Sequence, residues 1–463
     1  MVTTPSTETV PSESPLSAPA EAGGEAVDVA IVGAGAAGLA AAIFALEAAR
    51  EAGSRPRVLL LEAASRPGAK ILVAGGGRCN VTHGAVGPGD FAGPTPVVRS
   101  VLKAFDHHAA RRWFEALGVP LKVESTGKLF PVSDRARDVL DALLARVRQL
   151  GGHMRCASRV RSIEPARKDG TEGFVLAFDR EGEAEDAVTM AKGPVHARFL
   201  VLATGGCSLP RSGSTGQGWR MAESLGHTVT DTYPALVPLK LSSDFFHASL
   251  SGISQQVTLI TRVDGKVAAR RSGSMLWTHF GVSGPVVMDA SRDWTIARGR
   301  SRAVELRLAL WGDEPFEKVD TWLVEQCRQN PRSGVATFLG RHLPARVAEA
   351  LCRGVGLEPA GRLAELPRES RRKLVHAMTD LPLPVVADRG WNAAEVTAGG
   401  VPLSEVDHRT MHSRLVPGLY LVGEMLDCDG RIGGFNFQWA WSTGYIAGKA
   451  VARSLAGAGH VSS

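Results

Sequence analysis

A chain of 463 residues exceeds the size at which one hydrophobic core usually stops growing, so the sequence predicts two or three domains. The net charge of +6 is spread along the chain and forms no basic stripe with interleaved aromatic residues, which argues against a nucleic-acid partner. The six cysteines include no Cys-x-x-Cys pair, so we expect neither a metal site nor disulfides, and reduced thiols fit a cytoplasmic protein.

The first segment, 1–26, is rich in Ser, Thr, Pro, Glu and Ala and has no Lys or Arg, which predicts a disordered tail without a targeting signal. The uncharged stretch 29–46 is long enough for a membrane span. Three glycines interrupt it where a strand turns into a helix, so we predict no membrane segment.

A β-α-β unit follows. An apolar run at 27–32 predicts a buried strand, an alanine-rich segment at 38–52 predicts a helix, and 58–61 predicts a second buried strand. Strand, glycine turn, helix and strand together are typical of a dinucleotide-binding crossover.

The turn has the pattern G-x-G-x-x-G, which places a diphosphate on free N–H groups at the helix N-terminus. Glu62 ends the second strand, where a carboxylate can bind the adenosine ribose hydroxyls and repel a 2′-phosphate. A glycine turn that serves packing alone is the alternative. The predicted cofactor-binding residues of this unit are Gly33, Gly35, Ala36, Ala37, Gly38, Glu62 and Ala63.

Three successive glycines precede Arg78, Cys79 and Asn80. Because consecutive glycines are costly in conformational entropy, we expect Gly77 and its neighbours to lie against a cofactor, with Arg78 near phosphate and Asn80 offering amide hydrogen bonds. A plain surface loop is the alternative. Cys79 has no partner cysteine nearby, which favours a small buried residue over a redox thiol.

Further helices are predicted at 96–118 and 136–151, and a buried strand at 199–203 leads into Thr204 and Gly205 beside the same cofactor. From about residue 212 to residue 392 the pattern changes, which indicates an inserted domain. Alternating runs at 256–263 and 303–310 predict antiparallel strands there, and 317–374 predicts polar helices broken by prolines.

The buried-strand pattern returns at 419–422, and a last helix is predicted at 433–455. Gly423 and Glu424 follow the strand, where the acid can hold a ribityl hydroxyl. The glycine-rich start of the helix can direct N–H groups at the flavin N1/C2 carbonyl edge. For Asp427 and Asp429, a role as turn residues is the alternative. The predicted cofactor-binding residues of this helix start are Gly433, Gly434, Phe435 and Asn436.

These motifs together resemble the family of FAD-dependent oxidoreductases that includes aminoacetone oxidases and a reductase of bacterial bile-acid metabolism. The resemblance runs from about residue 27 to residue 455. It rests on AGGGRCNVTH (74–83), GKLFPVSDRA (127–136), LATGG (202–206), GSTGQGWRMAESLGH (213–227), THFGVSGP (278–285), VTAGGV (396–401) and GLYLVGEMLDCDGRIGGFNFQWAWSTGYIAG (418–448).

The resemblance implies an α/β fold, in which a glutathione-reductase-like Rossmann FAD domain is interrupted by an inserted β-barrel and a helical subdomain. The implied segments are a tail at 1–26, the FAD domain at 27–211 and 393–455, the insert at 212–392 (barrel at about 235–312, helices at about 313–385) and a tail at 456–463. The family's FAD contacts also include the backbone of Val160, which would meet adenine. Many relatives carry Ser and Asp where this chain has Ala74 and Gln217.

Family membership implies hydride transfer through flavin N5, with a small-molecule substrate between the FAD domain and the insert. Without a second dinucleotide motif, NAD(P)H would act as a transient electron donor. His279 is the candidate proton-handling group, and the alternative is a histidine that fixes a turn. Three hypotheses remain open: an NAD(P)H-linked reductase of a carbonyl-conjugated C=C bond, an amine oxidase that uses oxygen, and a non-catalytic flavin-bound sensor.

Overall fold

The computed structural model describes residues 24–168, 171–179 and 193–459, so the predicted tail lies outside the described residues except for its last three. The strands are β1 (Glu25–Val32), β2 (Val58–Leu61), β3 (Thr82–His83), β4 (Phe91–Ala92), β5 (Leu121–Val123), β6 (Lys128–Pro131), β7 (His153–Arg155), β8 (Val160–Lys168), β9 (Thr171–Phe178), β10 (Val195–Leu202), β11 (Tyr233–Ala235), β12 (Leu239–Leu241), β13 (Ser254–Val263), β14 (Lys266–Thr278), β15 (Gly281–Ser283), β16 (Val304–Ala309), β17 (Leu381–Leu383), β18 (Val385–Asp388), β19 (Val396–Ala398), β20 (Val406–Asp407), β21 (His412–Ser413), β22 (Leu419–Leu421) and β23 (Asp429–Gly430).

The α-helices of the described chain are α1 (Ala36–Glu51), α2 (Ala69–Gly77), α3 (Thr95–Ala104), α4 (His107–Ala116), α5 (Ala136–Gln149), α6 (Gln217–Ser224), α7 (Pro285–Gly299), α8 (Phe316–Gln329), α9 (Val335–Leu339), α10 (Ala345–Gly354), α11 (Arg368–Thr379) and α12 (Phe435–Gly459). Helix α12 extends four residues into the segment predicted as a C-terminal tail. No helix in the described ranges combines the length and the apolar character that a bilayer crossing requires.

A nine-stranded sheet combines strands from the N-terminal part of the chain with three strands from near its C-terminal end. Its central strands β22, β10, β1, β2 and β7 are parallel, and β9 and β21 pair antiparallel with β10 and β22. β1 lies between β10 and β2, and its residues Val29, Ala30 and Ile31 are fully buried. The chain leaves β1 towards β2 on one side and later adds β10 on the other, which creates a topological switch point at the carboxyl end of β1.

Glycines allow the elements around this switch point to approach closely. A Cβ at Gly38 would lie 1.9 Å from the Gly33 carbonyl oxygen, so only glycine fits where α1 begins beside the end of β1. A Cβ at Gly444 of α12 would lie 2.7 Å from the Ala37 carbonyl oxygen, so the two helices pack backbone against backbone. The sheet and both helices therefore meet without room for side chains between them.

A second sheet has the strand order β17-β16-β13-β14-β15-β12-β18, and all of its described pairs are antiparallel. The edge strands β17 and β18 are separated along the chain by Pro384 alone, so one end of each edge strand lies close to the other. Trp277 and Leu308 are fully buried on its inner face. Leu323 of α8 and Leu374 of α11 join the same hydrophobic cluster.

Helix α6 begins just beyond the boundary predicted at residue 212 and packs with the nine-stranded sheet. Helix α6 contributes Trp219, Met221 and Ala222 to the cluster of the nine-stranded sheet, although it lies beyond that residue. The Trp219 indole N–H donates to the Met425 carbonyl oxygen at 2.9 Å, which fixes α6 beside the segment that follows β22. The second cluster begins at Leu239 and continues to Leu383.

Candidate functional site

A cavity of about 760 Å³ opens at the carboxyl edge of the parallel strands. The segments after β1, β2, β10 and β22 line it, together with the start of α12 and residues from the second sheet's side such as Leu236. Ligands of open α/β sheets bind in this position, outside the strand ends at a switch point.

The first wall is the glycine turn. Gly35 is the N-cap of α1 and provides no side-chain cap, which leaves the first N–H groups of the helix to a ligand. A Cβ at Gly35 would meet no atom within 4 Å. Across the turn, the Glu62 carboxylate accepts hydrogen bonds from the N–H groups of Ala34 at 3.0 Å and Ala64 at 2.9 Å. The acid is thus fixed beside the place where a diphosphate would lie.

The acid after β22 is held in a network that sequence reasoning missed. Lys70 Nζ lies 2.6 Å from Glu424 Oε2, and the Ser208 hydroxyl donates to Glu424 Oε1 at 3.0 Å. The Thr397 N–H donates to the same oxygen at 3.0 Å. Residues from α2, the β10 loop and β19 therefore converge on Glu424 and fix its orientation.

The glycine-rich start of α12 forms a second wall of the cavity. Gly434 has φ +94°, and a Cβ there would lie 2.7 Å from the Thr82 carbonyl carbon and 2.9 Å from Asn80 Oδ1. Asn436 turns back from the helix: its amide donates to the Gly430 carbonyl at 2.9 Å and accepts from the Gly430 N–H at 2.8 Å. This bracing fixes the turn from which the first N–H groups of α12 face the cavity.

Two buried polar atoms at the cavity have no partner in the described structure. Asn80 Oδ1 and Thr204 Oγ1 each make no hydrogen bond, although both residues line the cavity. Buried polar atoms are seldom left without partners, so these two fit a ligand with hydrogen-bonding groups of its own. With the two glycine-lined helix starts and Glu62, they provide the kinds of groups that can bind the diphosphate, ribose and flavin of FAD.

The cavity brings together most of the predicted cofactor-binding residues. Those that line it are Gly33, Gly35, Ala36, Ala37, Glu62, Ala63, Arg78, Asn80, Val160, Thr204, Gly205, Glu424, Gly433, Gly434 and Asn436. The remaining ones are absent from the described lining for individual reasons.

Gly38 packs against the Gly33 carbonyl, and the Gly423 N–H donates to the Thr443 hydroxyl at 3.0 Å. Phe435 is a core residue, 1% exposed, whose ring stacks on His83. Gly77 is exposed on the far side of the α2 turn. Gly38, Gly423 and Phe435 thus support the walls of the cavity from behind, whereas Gly77 does not.

The structure gives two predicted contacts other partners. Arg78 Nη1 lies 2.6 Å from Glu124 Oε1, and the guanidinium stacks over the Phe130 ring at 4.0 Å, so its charge is already matched at the cavity rim. The hydrogen bond to Glu124 raises the pKa of Arg78. The Val160 carbonyl accepts a hydrogen bond from Gln217 at 2.9 Å, so a ligand there would share this carbonyl or use the Val160 N–H.

His279 lies outside this lining. It is exposed at the tip between β14 and β15, and its imidazole makes an edge contact with the Phe280 ring. The described structure therefore brings this candidate to a turn rather than to the cavity. Cys79 is fully buried, and burial raises the pKa of its thiol to about 12, so it is no reactive thiol.

Asp427 and Asp429 do more than form a turn. Asp429 is 3% exposed, and its Oδ2 lies 2.6 Å from Arg292 Nε of α7. Burial raises the pKa of Asp429, and the nearby Arg292 guanidinium opposes that rise. On the same helix, Asp289 Oδ1 accepts from the Ile432 N–H at 2.8 Å. Helix α7 thus holds the segment that leads into the glycine start of α12.

The fold and the site define the class: a Rossmann-type protein whose cavity accommodates a flavin dinucleotide at its switch point. The family profile described as "HI0933-like protein Rossmann domain" matches residues 27–450. The chain belongs to this family of FAD-dependent oxidoreductases.

Similar proteins support this assignment over nearly their full lengths. The chain is 34% identical to the ribosomal RNA dihydrouridine synthase of Escherichia coli K12, covering 91% of this chain and 97% of that protein. It is 32% identical to the 3-dehydro-bile acid delta(4,6)-reductase of Clostridium scindens, covering 92% and 98%. It is 31% identical to the ribosomal RNA dihydrouridine synthase of Haemophilus influenzae, covering 91% and 98%.

Proposed function

We propose that this protein is a flavin-dependent reductase that transfers a hydride through flavin N5 to a C=C bond conjugated to a carbonyl group, with NADH or NADPH as electron donor. The observation that carries the proposal is that one cavity is bordered by the uncapped start of α1, by the glycine-lined start of α12 and by the Glu62 carboxylate. FAD supplies two-electron hydride chemistry when it is bound there.

The names of the relatives support the acceptor class. Dihydrouridine differs from uridine by two hydrogens across a ring C=C bond that is conjugated to a carbonyl. A 3-dehydro bile acid with double bonds at positions 4 and 6 has both conjugated to its 3-keto group. The two activities therefore share one reaction type, reduction of an electron-poor C=C bond.

The chain's own residues have distinct tasks in this reaction. The free N–H groups after Gly35 bind the diphosphate, and Glu62 orients the adenosine ribose. Lys70 holds Glu424 in place, so that the acid can receive a ribityl hydroxyl without moving. The N–H groups at the start of α12 favour negative charge at the adjoining ring edge. Since the sequence has no second dinucleotide motif, we expect nicotinamide to reach the flavin through the same cavity and to leave before the acceptor enters.

We also propose that the seven-stranded sheet and helices α8 to α11 form an insert that covers the substrate side of an FAD domain. The sheet's adjoining edge strands and the separate hydrophobic cluster support this division. Leu236, just after β11, reaches the cavity from that side.

A uracil ring in RNA is the second candidate acceptor, beside the small molecule that the sequence predicts. Two of the three relatives reported above act on ribosomal RNA by name. This observation weakens the sequence-based argument against a nucleic-acid partner.

Anaerobic titration of the purified yellow protein tests the proposal. NADH or NADPH should bleach the flavin, and a dienone bile acid or ribosomal RNA from a strain lacking this gene should restore the colour. The product should gain two hydrogens by mass spectrometry, and the acceptor that does so separates the two candidates. Bleaching by an amine alone, with peroxide formed on admitting air, would identify an oxidase and contradict the proposal.

A further inference from the structure

Four carboxylates line the described cavity, and three of them are already engaged. Glu62 accepts two backbone N–H groups, Glu124 pairs with Arg78, and Glu424 is held by its lysine and hydroxyl partners. The Glu395 carboxyl makes no hydrogen bond or ion pair with any described residue. It is the free acid of the lining.

The backbone around Glu395 is fixed although its side chain is not. Its N–H donates to the Leu236 carbonyl at 3.2 Å, and its carbonyl oxygen lies 3.2 Å from the Ser208 hydroxyl oxygen. Leu236 adjoins β11, and Ser208 also holds Glu424. Glu395 therefore sits where the second sheet's side meets the loop after β10, with its carboxyl directed at neither anchor.

The surroundings of Glu395 favour its neutral form. The residue is exposed by surface area and lines the cavity, and the surrounding protein removes part of the water around its carboxyl. Burial raises the pKa of Glu395, the nearby Lys128 ammonium lowers it, and the Asp289 carboxylate raises it further. The Asp289 carboxylate accepts a hydrogen bond from the Ile432 N–H, and Ile432 lines the same cavity as Glu395.

Other proton donors are scarce in this lining. Among its described residues there is no histidine and no tyrosine. Cys428 lines the cavity, but burial raises the pKa of its thiol well above the ordinary range. Lys128 also lines the cavity and makes no ion pair within 4.0 Å among the described residues. Its ammonium group is a positive charge that acts on Glu395.

We propose that Glu395 is the catalytic acid of the reductase, and this assignment rests on the proposed function. The acceptor takes a hydride at the carbon remote from its carbonyl, and the electron pair of the C=C bond moves towards the carbonyl. The Glu395 O–H bond then breaks, and its proton forms the new C–H bond at the carbon next to the carbonyl. Solvent returns a proton to the carboxylate, and the acceptor has gained two hydrogens.

Infrared difference spectra of the oxidised holoenzyme test the protonation state without turnover. A carboxylic-acid C=O band should persist well above the usual glutamate pKa of about 4.3. It should be missing from Glu395→Gln and present in Glu349→Gln, a surface control on α10. If the band lost in Glu395→Gln titrates in the ordinary glutamate range, the proposal is wrong.

Stopped-flow kinetics test the role itself. Glu395→Gln should be reduced by dithionite as fast as the wild type and reoxidised by ferricyanide as fast, because neither step needs this proton. Its reoxidation by the dienone bile acid or the ribosomal RNA should be slower by about 10²–10⁴-fold.

The outcomes separate the two proposals. If the wild type reduces an acceptor and Glu395→Gln does so equally fast, the assignment of Glu395 is refuted while the reductase stands. If the wild type reduces neither acceptor, the proposed function fails, and the assignment falls with it.

Discussion

Replacing Gly35 by alanine should separate folding of the chain from binding of the cofactor. Gly35 has φ −86° and ψ −167°, which alanine adopts freely, and a Cβ there meets no atom within 4 Å. The free energy of unfolding of the cofactor-free protein should therefore stay the same or rise by up to about 1 kcal/mol, because alanine restricts the unfolded chain.

The affinity for FAD should fall in the same variant. The added methyl projects into the space through which a diphosphate would approach the N–H groups of α1. Loss of one hydrogen bond to a charged group costs about 1.5–3 kcal/mol, which corresponds to an increase in Kd of roughly 10- to 150-fold.

Two other glycines provide matched comparisons. Gly38→Ala places its Cβ 1.9 Å from the Gly33 carbonyl oxygen, so the free energy of unfolding should drop by about 1–3 kcal/mol or more even without cofactor. Gly89→Ala adds a methyl that meets no atom within 4 Å and lies outside the cavity, so its free energy of unfolding should behave as in Gly35→Ala while its affinity for FAD stays unchanged.

Urea denaturation of the cofactor-free variants measures the free energy of unfolding. Quenching of FAD fluorescence on binding measures the affinity for FAD. The reasoning is refuted if Gly35→Ala binds FAD with wild-type affinity. It is equally refuted if Gly35→Ala and Gly38→Ala lose the same stability, because the glycines would then share one structural role.

Two further predictions concern stability. Burial alone would raise the pKa of Glu405, but hydrogen bonds from Thr228 and His227 outweigh it and lower the pKa. The stabilisation is therefore present above the unfolded pKa of about 4.3 and is lost as pH falls through the folded pKa, so the free energy of unfolding should fall less steeply on acidification in Glu405→Gln. Arg292→Met leaves the buried Asp429 carboxylate without its partner, which should cost about 3–5 kcal/mol, and adding Asp429→Asn should restore part of the loss.

Urea denaturation at a series of pH values measures the effect of Glu405→Gln. If the free energy of unfolding falls equally steeply on acidification in this variant and in the wild type, the prediction is wrong. The same method at neutral pH measures the second. A loss below 1 kcal/mol in Arg292→Met, or no recovery in the double variant, would show that Asp429 is not stabilised by this pair.

The sequence predicted the β1-α1-β2 unit within about two residues at each end because neighbouring residues determine it. The alternation of apolar residues and the spacing of Gly33, Gly35 and Gly38 depend on no distant contact. The same holds for Glu62 and for the glycine start of α12. The cofactor and the family follow from such local patterns, and the family match confirms them.

The rest of the site depends on contacts that no local pattern encodes. Lys70 pairs with Glu424 from 354 positions away, and it has the spacing of any helical lysine. Glu395 stands in a loop between two short segments, and its environment is assembled by Lys128 and Asp289 from other parts of the chain. The sequence predicted a phosphate partner for Arg78. The acids that pair with it in the structure lie in and just after a later hairpin, so no pattern near Arg78 indicates them.

Titration of the cofactor-free chain with FAD tests the central claim most directly. The account predicts that one equivalent of FAD binds, that the spectrum becomes that of a protein-bound flavin, and that Glu62→Lys weakens this binding. A chain that circular dichroism shows to be folded, and that stays colourless in the presence of excess FAD, would contradict it.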